Sequence, residues 1–131
     1  WEEWNKEFNF VLDAAALSDT ALCNEWYGPD HAQEERRDAL KTDWLKDSNG
    51  GAIWLNPPYG RAIAPFMAKA DAESKNGATV ICLVPARTDT KWWHDSVIHH
   101  EVRFIKGRLK FGGATNSAPF PSALVIMKPL D

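Results

Sequence analysis

Two apolar segments separated by one helical repeat constrain the fold of this chain more than any other feature. Asn49-Gly50-Gly51 is a turn signal leading into the short apolar run Ala52-Ile53-Trp54-Leu55. Arg61 to Lys75 then carries Ile63, Phe66, Met67 and Ala70 at helical spacing, Asn76-Gly77 ends that pattern, and Thr79 to Val84 is nearly continuous apolar sequence. This is a β-α-β unit. Short apolar strands joined through a helix specify a parallel sheet covered on both faces, hence an α/β chain. Around the unit, Phe8 to Leu12 is aromatic and β-branched and predicts a first strand, ending at Asp13 and three alanines. Asp30 to Lys41 is a weakly amphipathic helix or an ordered loop, and Thr88 to Ile98 predicts a second helix. Val102 to Ile105 predicts a strand, and Ala123 to Met127, after Gly112-Gly113, a closing antiparallel element. With 131 residues, of which 44% are hydrophobic, one domain over residues 1–131 is expected.

Asn56-Pro57-Pro58-Tyr59 follows the strand Ala52 to Leu55, at the end where open α/β sheets place their ligands. Two prolines fix φ and withhold backbone donors, so the loop offers carbonyl acceptors, one side-chain amide and an aromatic ring in a preset geometry. Such a loop receives a planar, hydrogen-donating group, which suggests methylation of an amino nitrogen. The bland alternative is a proline-rich turn.

The formal net charge is −3, but its distribution is uneven. Residues 1–60 hold 12 acidic against 5 basic side chains, net −7, and residues 61–131 hold 6 against 10, net +4. The second half is therefore the candidate face for a polyanion. Its densest stretch, Val102 to Phe111, alternates Arg103, Lys106, Arg108 and Lys110 with apolar residues; a solvated, charge-protected hairpin edge is the competing reading. Cys23 and Cys82 are isolated and no histidines cluster in metal-ligand spacing, so the sequence supports neither a disulfide framework nor a metal site. No apolar stretch has membrane-spanning length and the start lacks the pattern of a secretory signal, so a cytoplasmic setting is expected.

Laid out in order, these residues resemble the Dam-type DNA N6-adenine methyltransferases of phages and prophages, over Phe8 to Pro129. Phe-x-Leu-Asp-x-Ala-Ala is met by Phe10, Leu12, Asp13, Ala15 and Ala16, Asp-Trp by Asp43-Trp44, and Trp-x-Asn-Pro-Pro-Tyr by Trp54 to Tyr59. Leu83 to Thr90, Gly107 to Phe111 and Ala118 to Ser122 supply three further motifs. The resemblance implies a Rossmann-like, mostly parallel sheet with a closing antiparallel element, S-adenosylmethionine (AdoMet) as methyl donor, and an adenine flipped out of DNA. It implies catalysis by Asn56, Pro57, Pro58 and Tyr59: the Asn56 side-chain oxygen and the Pro57 carbonyl each accept one N6 hydrogen, and Tyr59 stacks on the base. It implies cofactor contacts from Asp13, Ala14, Ala15, Asp43, Trp44 and Asn56, with helix capping by Asp13 and a solvated loop acid at Asp43 as the plainer readings. The DNA contacts would come from Arg61, Arg87, Lys91, Arg108 and Lys110. Two departures stand out. The glycine-rich Phe-x-Gly-x-Gly loop of many AdoMet enzymes is replaced by the Asp-x-Ala-Ala version, and the chain begins at Trp1 without the Thr-Pro segment usual before this point. A compact or N-terminally truncated form is expected from that. A methyltransferase acting on a protein glutamine amide or an RNA base amine, and a non-catalytic module binding DNA or AdoMet, remain the alternatives.

Overall fold

A computed structural model describes residues 1–110 and 118–129 of the chain. Its sheet has six strands among the described residues: β1 (Phe10–Asp13), β2 (Glu25–Trp26), β3 (Ala52–Leu55), β4 (Thr79–Pro85), β5 (Glu101–Phe104) and β6 (Ser122–Met127). The spatial order is β2-β1-β3-β4-β6-β5. The β2-β1, β1-β3 and β3-β4 pairs are parallel, whereas β6 runs antiparallel to both β4 and β5. The expected β-α-β unit is β3, α3 (Ile63–Lys75) and β4, with a 3₁₀ turn at Gly60–Ala62 before the helix. Two shorter helices precede it, α1 (Glu2–Phe8) and α2 (Trp44–Ser48).

The apolar runs are continuous because both sheet faces are buried. Ile53, Leu55, Val80, Cys82, Val84, Val125 and Met127 point to one face, where Trp44, Ile63, Met67, Ala70 and Trp93 cover them. The intervening residues Trp54, Ile81, Leu83, Leu124 and Ile126 point to the other, with Phe10, Trp1, Trp4 and Phe8. Each aliphatic side chain buried this way is worth about 1.5–3 kcal/mol. Period-two alternation in β4 and β6 therefore assigns every side chain to one of two cores.

Two elements differ from expectation. The segment Glu2–Phe8 is helical, its acidic residues Glu2 and Glu3 in the first turn and Lys6 in the last favouring the helix dipole. It stops at Asn9, whose φ of 57° is left-handed. Trp4 then stacks on Trp54 at 5.7 Å and Phe8 on Phe10 at 5.9 Å, so α1 is the cover of the second face. Asp30 to Lys41 takes the ordered-loop alternative, built around two 3₁₀ turns, Glu34–Arg36 and Ala39–Lys41. The helix expected over Thr88 to Ile98 is shorter and wider than forecast, with a π-helical turn at Trp93–Val97 that buries Trp93, Ser96 and Val97. The Gly112-Gly113 turn lies outside the described residues.

Arg103, counted above among the outward cations of the basic stretch, is engaged within the fold. Its guanidinium donates to both carboxylate oxygens of Glu7 at 2.8 Å and to Glu101 at 2.9 Å, tying edge strand β5 to α1. The Arg103 hydrogen bonds hold the Glu7 carboxyl below its ordinary range. A carboxyl whose folded value is depressed contributes stability above its unfolded value and loses it as pH falls through the folded one. Replacing Glu7 by Gln should therefore lower the thermal midpoint at neutral pH, with the difference from the parent vanishing below the folded Glu7 value. A pH series of melting curves checks this; a constant difference across the acid range would refute it.

Candidate active site

Because β1, β3 and β4 are parallel, their C-terminal ends deliver Asp13, Asn56 and Ala86 to one edge of the sheet. Antiparallel β6 begins at that same edge, with Ser122 opposite Pro85, and the Ala86 N–H donates to the Pro121 carbonyl at 2.8 Å. Phe104, at the end of β5, pairs with Ala123, so the cationic stretch from Ile105 to Lys110 also leaves the sheet on this side. Five segments thus meet there through strand direction.

A cavity of about 510 Å³ opens beside Asn56. Ala14, Ala15, Ala16 and Leu17 form one wall, Tyr27, Gly28 and Pro29 a second, Arg37 to Leu40 a third, and Asn56, Pro58 and Phe66 close it. The alanines leave room at the backbone, as expected for a loop that a flat ligand approaches closely. Gly28 is required for packing: a Cβ there would lie 1.8 Å from the Ala16 carbonyl oxygen. The two segments run side by side, with the Ala16 N–H donating to the Tyr27 carbonyl at 2.9 Å. Tyr27 is fully buried and its hydroxyl donates to Asp47 Oδ2 at 2.7 Å. Burial, the Asp47 hydrogen bond and the Asp47 charge push the Tyr27 hydroxyl far above its usual range, so it stays protonated as a wall.

Asp13 is 3% exposed, and its carboxylate serves the loop. Its oxygens accept from the Ala15 N–H at 3.3 Å and the Leu22 N–H at 3.0 Å. Burial raises its carboxyl and these two bonds partly offset that. Asp13 braces the alanine wall from behind, whereas Ala14 and Ala15 line the cavity themselves.

Asp43 and Trp44 sit elsewhere. The Asp43 carboxylate caps α2 by accepting from the Lys46 N–H at 3.1 Å and faces a separate hollow with Leu45, Lys69 and Glu73. Trp44 is fully buried and donates its indole N–H to the Ala39 carbonyl at 2.8 Å, anchoring the Ala39–Lys41 turn. The acid on the cavity is Asp38, which also caps that turn by accepting from the Leu40 N–H at 3.1 Å. Sequence reasoning passed over Asp38, Tyr27 and Gly28; the only signal was the turn dipeptide Gly28-Pro29, and nothing local ties it to Asn56.

Asn56 Oδ1 is buried and accepts no hydrogen bond from any described residue. A buried acceptor left without a donor costs about 1–3 kcal/mol, so its retention at a cavity wall points to a donor brought by a ligand. Pro57 is buried and Pro58 and Tyr59 are exposed. A second hollow of about 230 Å³, at the Tyr59 end of the loop, is lined by Tyr59, Pro85, Arg87, Thr90, Trp92 and Phe120. Phe120 meets the Tyr59 ring edge-on at 5.3 Å and lies 5.6 Å from the Arg87 guanidinium carbon, giving aromatic walls and one cation. Arg61, Arg108 and Lys110 are exposed, as is Lys91, which is paired with Asp95.

The chain matches the family described as "DNA N-6-adenine-methyltransferase (Dam)" over residues 1–131. It is also 31% identical over 87 residues to a protein of Escherichia phage T1 named DNA N-6-adenine-methyltransferase. That match covers 66% of the chain and 32% of the phage protein, so the chain spans about a third of that relative. A match over its entire length, on a sheet that gathers the asparagine-proline loop, an alanine-walled cavity and an aromatic hollow at one edge, makes this chain a member of the Dam DNA N-6-adenine-methyltransferase family.

Proposed function

We propose that this chain methylates the N6 amine of adenine in DNA with AdoMet as donor, on a Rossmann-like methyltransferase fold. The observation that carries the reading is the partnerless buried Asn56 Oδ1, on the loop flanked by the two hollows. The larger cavity suits the donor: small side chains against which a purine and a methionine chain pack, with Asp38 placed for a hydrogen-bond donor of the ligand. AdoMet, when bound, supplies a methyl group activated by its sulfonium sulfur. The smaller hollow suits the base, on which the Tyr59 ring would stack with Phe120 as an edge-on wall while Arg87 faces its phosphate.

The adenine amine is a poor nucleophile because its lone pair is delocalised into the ring. Asn56 Oδ1 and the Pro57 carbonyl each accept one N6 hydrogen, which draws the nitrogen toward a tetrahedral geometry and aims its lone pair across the loop. Catalysis then comes from alignment and from acceptors matched to charge developing on nitrogen. Neutral Asn56 is no strong base, so the proton leaves to water after transfer. Asp13 contributes by holding Ala14 and Ala15 in place. Arg61, Arg108 and Lys110, exposed on the same side, provide phosphate contacts, with salt-dependent affinity as the expected signature.

The test incubates the chain with methyl-labelled AdoMet and unmethylated DNA, with RNA and protein as parallel acceptors, and identifies the labelled nucleoside by mass spectrometry. N6-methyladenine is the expected product. Label confined to RNA or protein, or no label despite measurable AdoMet binding, would overturn the proposal.

A further inference from the structure

The opposite edge of the sheet carries a cluster that the methyl-transfer reading does not use. Asp71, on the C-terminal half of α3, meets His99 and His100, which lie in the turn just before β5. His99 Nε2 is 2.9 Å and His100 Nε2 2.7 Å from the same oxygen, Asp71 Oδ1, and the three potential ligand atoms lie within 4.8 Å of one another. Metal-ligand spacing is absent along the chain because 28 residues separate Asp71 from His99. Folding supplies the proximity instead.

We propose that Asp71, His99 and His100 form a divalent-cation site, with zinc the best chemical match. Two imidazole nitrogens and one carboxylate oxygen are the donors zinc takes, and an all-oxygen cation such as magnesium or calcium would find too few oxygens. Metal–ligand bonds of about 2.0–2.1 Å in tetrahedral geometry separate neighbouring ligand atoms by roughly 3.3 Å. Starting from 2.7 and 2.9 Å, each imidazole nitrogen needs to draw back from Oδ1 by roughly half an ångström to admit the ion, while the two nitrogens, within 4.8 Å of each other, settle to the same spacing. The groups are already held. The second oxygen, Oδ2, is fixed by Lys75 at 3.1 Å, which turns Oδ1 toward the histidines. The side chains of Asp71 and His100 are 11% and 10% exposed, so ordering them costs little further entropy. His99, at 44%, leaves a side open to solvent where a water completes the coordination.

The Lys75 ammonium weakens the site by repelling a dication, so moderate rather than picomolar affinity follows. A metal there would fasten α3, which follows the Asn-Pro-Pro-Tyr loop, to β5, which leads into the Arg108 and Lys110 segment. Its role would be structural. The edge strand, paired among the described strands only with β6 and tied by Arg103 to Glu7, gains a further anchor.

The experiment uses the full chain without a histidine tag, stripped with chelator, then titrated with zinc chloride by calorimetry and with cobalt(II) by visible absorption. One zinc per chain, a cobalt d–d band of low-coordinate type and a zinc-dependent rise in thermal midpoint are expected. His99→Gln, an exposed substitution that leaves the fold intact, and His100→Gln should each weaken zinc binding by roughly tenfold or more and abolish the midpoint rise. Absence of stoichiometric zinc binding by the parent chain would overturn the proposal. So would binding unchanged in His99→Gln, which would assign the metal to other surface histidines.

Discussion

Asn56→Ala is expected to lower the rate of methyl transfer to DNA adenine by at least about 100-fold while keeping the fold and weakening AdoMet affinity far less, since removing one acceptor matched to transition-state charge costs about that much. The expectation rests on an atom that the fold does not use. Asn56 Oδ1 is buried and takes no hydrogen bond from a described residue, so its loss orphans no protein donor. Alanine also keeps the strand end, because Pro57 and Pro58 continue to fix the following backbone. Single-turnover kinetics with saturating AdoMet, alongside calorimetric AdoMet binding, separates the chemical step from cofactor affinity. A variant that turns over at the parent rate would sink the proposed role of the amide. A variant that loses AdoMet binding as completely as activity would move Asn56 from the base to the cofactor.

Gly28→Ala should cost about 3 kcal/mol of stability, at the upper end of overpacking penalties, and abolish AdoMet binding. The added methyl would sit 1.8 Å from the Ala16 carbonyl oxygen and 2.9 Å from the Trp26 ring, and the first of these is backbone that no side-chain rotation relieves. Relief requires the Tyr27–Pro29 segment to move away from Ala14–Ala16. That movement breaks the 2.9 Å bond from the Ala16 N–H to the Tyr27 carbonyl and pulls apart two walls of the cavity. Denaturant melts with and without AdoMet measure both effects. An alanine variant as stable as the parent, with unchanged affinity, would show that the two walls are not held as described.

The β3-α3-β4 unit was legible because its signals are local: a turn before Ala52, helical spacing from Ile63 to Ala70, a glycine stop at Gly77 and an apolar run after it. The antiparallel β6 was legible for the same reason. Helix α1 was missed although Trp1, Trp4 and Phe8 stand at helical spacing, because seven residues are too few to hold a helix until Phe10 and Trp54 provide the aromatic surface on which they pack. The π-helical turn at Trp93–Val97 was missed because its hydrogen-bond register departs from the 3.6-residue repeat that periodicity detects.

Among site residues, the Asn-Pro-Pro-Tyr loop and the alanine wall were visible from composition next to a strand end. Asp43 and Asp38 show the limit. Both stand before short helical turns and both cap them, so local sequence cannot tell which carboxylate faces a cavity. The path of the chain decides: Trp44 inserts into the core and donates to the Ala39 carbonyl, which holds the Asp38 turn against the cavity and leaves Asp43 on another surface. Arg103 repeats the point for charge, since alternation marked it as an outward cation but only the approach of α1 gave it Glu7.

By itself the sequence determined the α/β class, the β-α-β unit, the asparagine-proline loop at a strand end and the basic second half, all properties set by nearest neighbours along the chain. Tertiary structure alone decided that Gly28 meets Ala16, that Phe120 faces Tyr59 and that Asp71 meets His99 and His100. These contacts join segments far apart in sequence, and the order in which the strands lie side by side, which no local pattern encodes, sets which segments meet.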